Sequence, residues 1–146
     1  MKQHKRNRAY LSVLRLVILS GGMALASFAA IAGESAIKQL LTDYQQQGAG
    51  NFDSARGQRL WESRVADSES FALRSCTTCH GADLKKPGQH VKTKKAIEPM
   101  APSANATRLR KQAEIEKWLL RNCKWTFGRE CSAQEKGDML VFLQSQ

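Results

Sequence analysis

Apolar residues recur at the three- and four-residue spacing of an α-helix in four stretches of the chain. The first stretch covers residues 35–47, and the glycines within residues 48–50 end it. The second begins at an N-cap that either Asp53 or Ser54 can supply. On one side of this second helix lie Gly57, Leu60 and Trp61. Because the glycine stands four positions before the tryptophan, another helix can cross closely over this face.

The other two helical stretches follow in the C-terminal part of the chain. One starts near Lys111, and its stripe consists of Ile115, Trp118, Leu119 and the polar Asn122. The other starts at Ser132–Glu135, which has the form of a capping box. Its apolar positions are Met139, Leu140, Phe142 and Leu143. Residues 85–107 contain all three prolines, so the pattern predicts an all-α fold with one long loop.

The N-terminus has the three-part pattern of a secretory signal peptide. Five basic residues and no acid occur in the first fifteen positions, and residues 16–31 are then apolar or small. Ala30-Ile31-Ala32 puts small residues where signal peptidase reads them, so cleavage is expected before Gly33. A retained membrane anchor is the alternative, but residues 16–31 fall short of the roughly 20 that a spanning helix needs. We expect residues 1–32 to be a cleaved leader, residues 33–146 to be one domain, and the protein to be periplasmic.

Composition adds a limit on the class of partner. The chain has 146 residues, is 42% hydrophobic, and carries 23 Lys and Arg against 13 Asp and Glu. That apolar content excludes a disordered chain, and the length allows one core. The leader holds five of the ten net positive charges, and the remaining +5 is too small for a nucleic-acid-binding surface. Nucleic acid is therefore not expected as a partner.

The motif Cys76-Thr77-Thr78-Cys79-His80 is typical of covalent c-type haem attachment in an exported chain. The two thiols add to the two vinyl groups from one helical turn, and the adjacent imidazole is the proximal ligand of the iron. The second imidazole nitrogen needs an acceptor, for which the carbonyl of Pro99 is a candidate. A redox-active Cys-x-x-Cys is a weaker interpretation, because no strand is expected before Cys76. A zinc site would need four reduced thiolates in an oxidising compartment.

Cys123 and Cys131 are the other two of the four cysteines. They stand eight positions apart on either side of the turn between the last two helices. We interpret them as a disulfide that closes this turn and contributes ~2–3 kcal/mol on the loop-entropy model. Two free buried thiols are the alternative.

Several residues are candidates for the sixth position of the iron. The connection into the last helix contains no Met, Met139 fits core packing, and Met100 fits packing in the proline loop beneath the haem. His90 lies in a Lys-rich stretch and is expected to be a solvated loop residue. Asn122 either bonds backbone near a helix end or binds the iron through its amide. A hard amide oxygen suits ferric iron better than ferrous iron, so reduction would open a site for a diatomic gas.

Three segments of the chain carry a family resemblance. They read Cys-Thr-Thr-Cys-His-Gly-Ala-Asp at 76–83, Pro-x-Ala-Pro-Ser-Ala at 99–104 and Glu-Lys-Trp-Leu-x-Arg-Asn-Cys at 116–123. The similarity continues through Gly128-Arg129 and Cys131 into Glu135-Lys136. From about Leu40 onward, the chain resembles the sphaeroides haem protein family, which comprises class I cytochromes c with asparagine as the distal ligand.

The resemblance implies a role for each matching residue. Cys76 and Cys79 would hold one haem c, His80 would be its proximal ligand, and Asn122 would be the ferric distal ligand. Cys123 and Cys131 would be joined. Asn122 would leave on reduction, and ferrous haem would then bind O2, NO or CO. The resemblance further implies di-haem cytochromes c and membrane b-type cytochromes as redox partners. Met100 departs from the family pattern, so a ligand exchange on reduction stays open.

Three functions follow from these candidates. The first is a periplasmic cytochrome c with His80 and Asn122 as ligands and a gas-binding ferrous state. The second is a plain electron carrier with His80 and Met100 as ligands. The third is an enzyme that uses the open ferrous site, as a peroxidase or a nitric oxide dioxygenase does. Basic residues would steer an acidic redox partner, and they are Arg121, Lys124 and Arg129 near the distal turn and Lys85, Lys86, Lys92, Lys94 and Lys95 in the loop.

Overall fold

A computed structural model describes residues 25–67 and 72–146 of the chain, with side chains from residue 36 onward. Most of the predicted leader, residues 1–24, lies outside the described residues. Residues 32–146 form one compact unit. No helix in the described ranges is both long enough and apolar enough to cross a membrane.

Five helices lie in the described part of the chain. They are α1 Leu25–Gln46, α2 Ser54–Glu62, α3 Thr77–His80, α4 Gln112–Phe127 and α5 Ala133–Gln144. The four predicted helices are confirmed, although α1 begins before residue 35. Four of the ten residues at 25–34 are alanine, the strongest helix former, so the helix extends in this direction. Asp53 supplies the N-cap of α2 by accepting from the Arg56 N–H at 2.6 Å. Ser132 and Glu135 form the predicted capping box of α5.

Two small antiparallel hairpins lie in the loops, where the sequence predicted none. One pairs β1 Val65–Ala66 with β2 Leu73–Arg74, and the other pairs β3 Gly88–Gln89 with β4 Ala96–Ile97. The expectation that no strand precedes Cys76 was therefore wrong. Each strand has two residues, which is too short for any periodicity to show in the sequence. The described strands form no parallel βαβ unit, the setting expected for a redox-active Cys-x-x-Cys.

Helices α2 and α5 cross in close contact at Gly57. A Cβ atom at this position would lie 2.1 Å from the carbonyl oxygen of Asp138 and 2.9 Å from Cβ of Phe142. Only glycine therefore lets the two backbones approach this far, as the sequence predicted. One turn further along α2, Trp61 is 5% exposed and its ring centroid lies 6.2 Å from that of Phe142.

Polar groups fix the same pair of helices. The buried carboxylate of Asp138 on α5 accepts from the Asp53 N–H at 2.7 Å and from Arg56 Nε at 2.8 Å. Burial opposes ionisation of this carboxyl, but the hydrogen bonds outweigh burial and lower its pKa. No sequence pattern predicts this ion pair, because its partners are far apart along the chain.

A second polar cluster ties α1, α4 and α5 together. The fully buried Tyr44 on α1 donates its hydroxyl hydrogen to Glu116 on α4, and Lys136 on α5 lies 2.9 Å from the other oxygen of Glu116. Burial and the neighbouring Glu116 carboxylate raise the pKa of Tyr44, so its hydroxyl stays protonated. These contacts hold α4 against the other two helices.

Replacing Gly57 with alanine tests the close crossing. At an ordinary helix position this change stabilises by roughly 0.5–1 kcal/mol. Here the new Cβ meets backbone, so α2 and α5 must separate, and we expect a loss of about 1–3 kcal/mol in urea unfolding. Arg59→Ala on the exposed face of α2 is the control and should change stability by less than about 0.5 kcal/mol. A Gly57→Ala protein as stable as the wild type would contradict the crossing.

Candidate functional site

The Cys-x-x-Cys-His motif folds as a single helical turn. The His80 N–H donates to the carbonyl of Cys76 at 3.1 Å, and the Gly81 N–H donates to Thr77 at 2.9 Å. Gly81 has φ +73° and ends the turn, because its conformation is one that glycine adopts without strain. The two thiols stand three positions apart on a helix and therefore share one side.

A cavity of about 900 Å³ opens beside this turn, and its wall includes Cys76, Cys79, His80 and Asn122. The Cys76 thiol is buried and free, and that of Cys79 is partly exposed and free. Burial raises the pKa of the Cys76 thiol to about 12, although a hydrogen bond with Thr126 partly opposes this effect. The structure thus brings the sequence-predicted attachment residues and Asn122 to one cavity.

His80 presents a neutral imidazole at this cavity. Burial and the charge of Arg108 lower its pKa to about 4, so the ring is uncharged at neutral pH. Its Nδ1 atom is buried and has no hydrogen-bond partner among the described residues. A neutral imidazole is the form that binds metal. The ring of Trp61 lies against it, with the centroids 5.3 Å apart.

The prediction that Pro99 accepts a hydrogen bond from His80 was wrong. The Pro99 carbonyl instead accepts from Arg108 Nε at 2.9 Å and from Asn105 Nδ2 at 3.4 Å. A carbonyl oxygen has two lone pairs, and these two donors engage both. The sequence could not indicate this, because no pattern shows that Asn105 and Arg108 turn back toward Pro99.

Asn122 lies within α4 and borders the cavity. Its side chain makes no hydrogen bond to any residue in the described ranges, so the helix-end hypothesis lacks the backbone contact that it requires. The apolar stripe of α4 is less uniformly buried than predicted, because Ile115 and Leu119 are buried while Trp118 is 51% exposed. The amide of Asn122 is therefore free to engage a group within the cavity.

The next residue along α4, Cys123, is joined to Cys131 by a disulfide with a Cα–Cα distance of 5.7 Å. Gly128 ends α4 with φ +69°, and the chain then turns into α5. The disulfide leaves two thiols in the chain, which is too few for the zinc interpretation. In the described ranges no group of three or more His, Cys, Asp or Glu residues is arranged to hold a metal ion.

The remaining candidates for the distal position also border the cavity. Met139 is buried in the core on α5, and Met100 is partly buried with its N–H bonded to the carbonyl of Leu84 at 3.0 Å. His90 was expected to be a solvated loop residue remote from the iron, but it too lies on the cavity wall. Its Nδ1 accepts from the N–H groups of Lys92 and Thr93, so the proton lies on Nε2. The unpredicted β3–β4 hairpin turns the chain back and brings His90 there.

Sequence reasoning missed three further residues of the wall. Thr126 lies beside the Cys76 thiol, and Arg108 and Arg110 flank a leucine with φ +57°. Two arginines at this spacing do not form a sequence motif that predicts a position on a cavity wall. The leucine does not predict a positive φ either, because glycine or asparagine is the usual residue in that conformation.

Comparison with known proteins identifies the fold and its family. A family model described as a domain of unknown function, DUF1924, matches residues 47–143. The cytochrome c-type protein SHP of Cereibacter sphaeroides is 40% identical over 132 residues, which is 90% of this chain and 98% of that protein. The chain belongs to the SHP family. The resemblance seen in the sequence is thereby confirmed.

Solved structures support the same conclusion for this SHP-family protein. The structure of oxidised SHP, described as an oxygen-binding cytochrome c, has a TM-score of 0.67 at 40% identity and covers 75% of this chain and 96% of that one. Oxidised cytochrome c'' of Methylophilus methylotrophus also has a TM-score of 0.67, covers 80% of this chain and 96% of that one, and at 20% identity shares the fold. The fold is that of a small helical cytochrome c, and the cofactor is one covalent haem c.

The residues around the cavity fit this cofactor. Two free thiols on one helical turn would hold the haem, and the neutral imidazole beside them would bind the iron. The buried Nδ1 of His80 makes no hydrogen bond with any described residue, so no protein contact of that kind holds the ring in another orientation. In this chain, Cys76 and Cys79 would anchor the haem and His80 would be its proximal ligand.

Replacing Cys79 with alanine tests the attachment residues. One vinyl group then stays unreacted and conjugated, so the pyridine haemochrome band should move to longer wavelength. A protein that lacks both Cys76 and Cys79 should release its haem into acidified acetone. Lys85→Ala, at an exposed position near the motif, should keep the wild-type band. An unchanged band in Cys79→Ala would exclude Cys79 from the attachment.

Proposed function

We propose that this SHP-family protein is a periplasmic cytochrome c with His80 and Asn122 as its ferric haem ligands. Asn122 leaves when the iron is reduced, and the ferrous haem then takes up O2, NO or CO. The observation that carries the proposal is the free amide of Asn122 on the cavity wall. The relative from Cereibacter sphaeroides is described as an oxygen-binding cytochrome c, which supports the same activity here.

The chemistry of the Asn122 side chain supports a ligand that is lost on reduction. An amide oxygen is neutral and hard, so it binds ferric iron better than ferrous iron. No described protein group competes for this amide, because its side chain makes no hydrogen bond there. After reduction the side chain rotates away, and the position that it leaves is open to a small uncharged ligand.

The leader pattern supports export. Haem attachment and the Cys123–Cys131 disulfide support it as well, because both suit an oxidising compartment. We further propose that the protein receives electrons from a di-haem cytochrome c or a membrane b-type cytochrome. This role requires a docking surface near the haem and a charge complementary to that of the partner.

The basic surface for such a partner is smaller than the sequence indicated. Near the distal turn, Lys124 pairs with Glu130 at 3.0 Å and Arg129 pairs with Glu135 at 2.6 Å. In the loop, Lys86 lies 3.6 Å from Asp83. Arg121 keeps its charge without an ion pair in the described ranges. The positive charge available for steering therefore centres on Arg121 and the remaining loop lysines.

Spectra of the oxidised and reduced protein test the distal ligand. The wild type should be low-spin when ferric, become high-spin on reduction, and bind CO without delay. Asn122→Ala should convert the ferric form to high-spin and leave CO binding by the ferrous form unchanged. Gln112→Ala, an exposed amide on the same helix away from the cavity, is the matched control and should keep all wild-type spectra. A reduced wild-type protein that stays low-spin and does not bind CO would contradict the proposal.

Met100 offers the alternative of a plain electron carrier, because it also borders the cavity. Methionine-bound ferric haem shows a long-wavelength charge-transfer band. With Asn122 as the ligand this band is absent in the wild type, and Met100→Ala leaves the ferric spectrum unchanged. A wild-type band that disappears in Met100→Ala would assign the ligand to Met100 instead.

A further inference from the structure

The cavity wall carries a strong excess of positive charge. Its basic residues are Lys95, Arg108, Arg110, Lys111 and Arg121, and its one acidic residue in the described ranges is Glu114. Glu114 lies 3.6 Å from Lys111. The other four cations form no ion pair with any residue that the structure describes. Lys95 and Arg121 are exposed, but Arg108 and Arg110 are half-buried. Half-buried cations without counter-ions are costly, so the part of the wall around these two arginines favours an anionic group.

The two arginines belong to a continuous part of the wall, residues 107–111. In a regular strand, side chains alternate between two faces, and five successive residues would not border one cavity. Here Leu109 has φ +57°, a conformation that is strained for a large side chain. Such strain persists only where the surroundings enforce it, and it is common at ligand-holding segments. The bend at Leu109 is what allows Arg108 and Arg110 to share the wall.

Arg108 is fixed in place by the proline loop. Its Nε donates to the Pro99 carbonyl at 2.9 Å, and its Nη2 donates to the Glu98 carbonyl at 2.7 Å. A guanidinium has five N–H groups in a planar fork, so the others remain available to a carboxylate.

Haem c carries two propionate carboxylates on the edge of the ring opposite its thioethers. We propose that residues 107–111 form the propionate seat of this protein, in which Arg108 and Arg110 bind the carboxylates. Arg108 thereby connects a propionate to the Pro99 loop. The assignment rests on the haem, which family membership shows, and it is independent of the ligand on the distal side.

The seat has an electrostatic consequence for the iron. Reduction adds one negative charge to the haem, so nearby positive charge favours the ferrous form. Pairing with arginine also keeps the carboxylates ionised and hydrogen-bonded. Loss of either arginine should therefore lower the reduction potential and change the environment of a propionate.

Arg108→Gln and Arg110→Gln test the seat in the haem-loaded protein. Both should lower the reduction potential and shift the resonance Raman band of the propionate bending vibration. Lys38→Gln removes the same charge from an exposed position on α1 and should change neither. Arg108→Lys keeps the charge without the planar fork, so it should restore most of the potential and leave the Raman band shifted. A purely structural role for Arg108 would not move the propionate band.

Arg110→Gln keeps the test decisive if Arg108→Gln fails to fold. The Arg110 side chain makes no hydrogen bond or ion pair within the described ranges, so its replacement removes no protein contact of that kind. A potential equal to that of Lys38→Gln, together with an unshifted propionate band in Arg110→Gln, would overturn the proposal for this residue. The same result in both arginine variants would overturn it entirely.

Discussion

The contact between Trp61 and His80 positions the imidazole that we propose as the proximal haem ligand. Trp61 also packs against Phe142 of α5, and Gly57, one turn earlier, allows α2 to lie directly on the backbone of that helix. With any larger side chain at that position, the helices would separate and Trp61 would move away from Phe142. The packing of two helices, and of the tryptophan that contacts the proposed ligand, thus depends on one missing Cβ atom.

The distal side is held by different means. Helix α4 is fixed at Glu116 by Tyr44 and Lys136, and at Cys123 by the disulfide. Asn122 lies between these two anchors. A shift of the whole helix would break the contacts at one end or the other, so a change at the proposed distal ligand would be confined to the Asn122 side chain. A side chain that turns within a fixed helix suits reversible ligand release better than a moving loop does.

The sequence predicted features that depend on residues a few positions apart, but it did not predict the contacts that loops make with one another. Helical spacing located α2, α4 and α5, and the Gly57–Trp61 spacing indicated a close crossing, because both patterns repeat within a few residues. The positions of His90 and Arg108 depend on loops that contain Lys94 and Leu109 at positive φ. Neither residue type favours that conformation, so no pattern indicated the turns. The ion pairs of Lys124 and Arg129 likewise depend on how the chain turns after α4.

These features together explain how an SHP-family protein could release a haem ligand without loosening the haem. The two thiols of the motif turn would hold one edge of the ring, and His80 would bind the iron from the proximal side. The cationic segment 107–111 would hold the opposite edge through the carboxylates. Three attachments at different places fix a flat ring in position and orientation. The sixth ligand then has no part in retaining the cofactor, so Asn122 can be a weak ligand that responds to the charge of the iron.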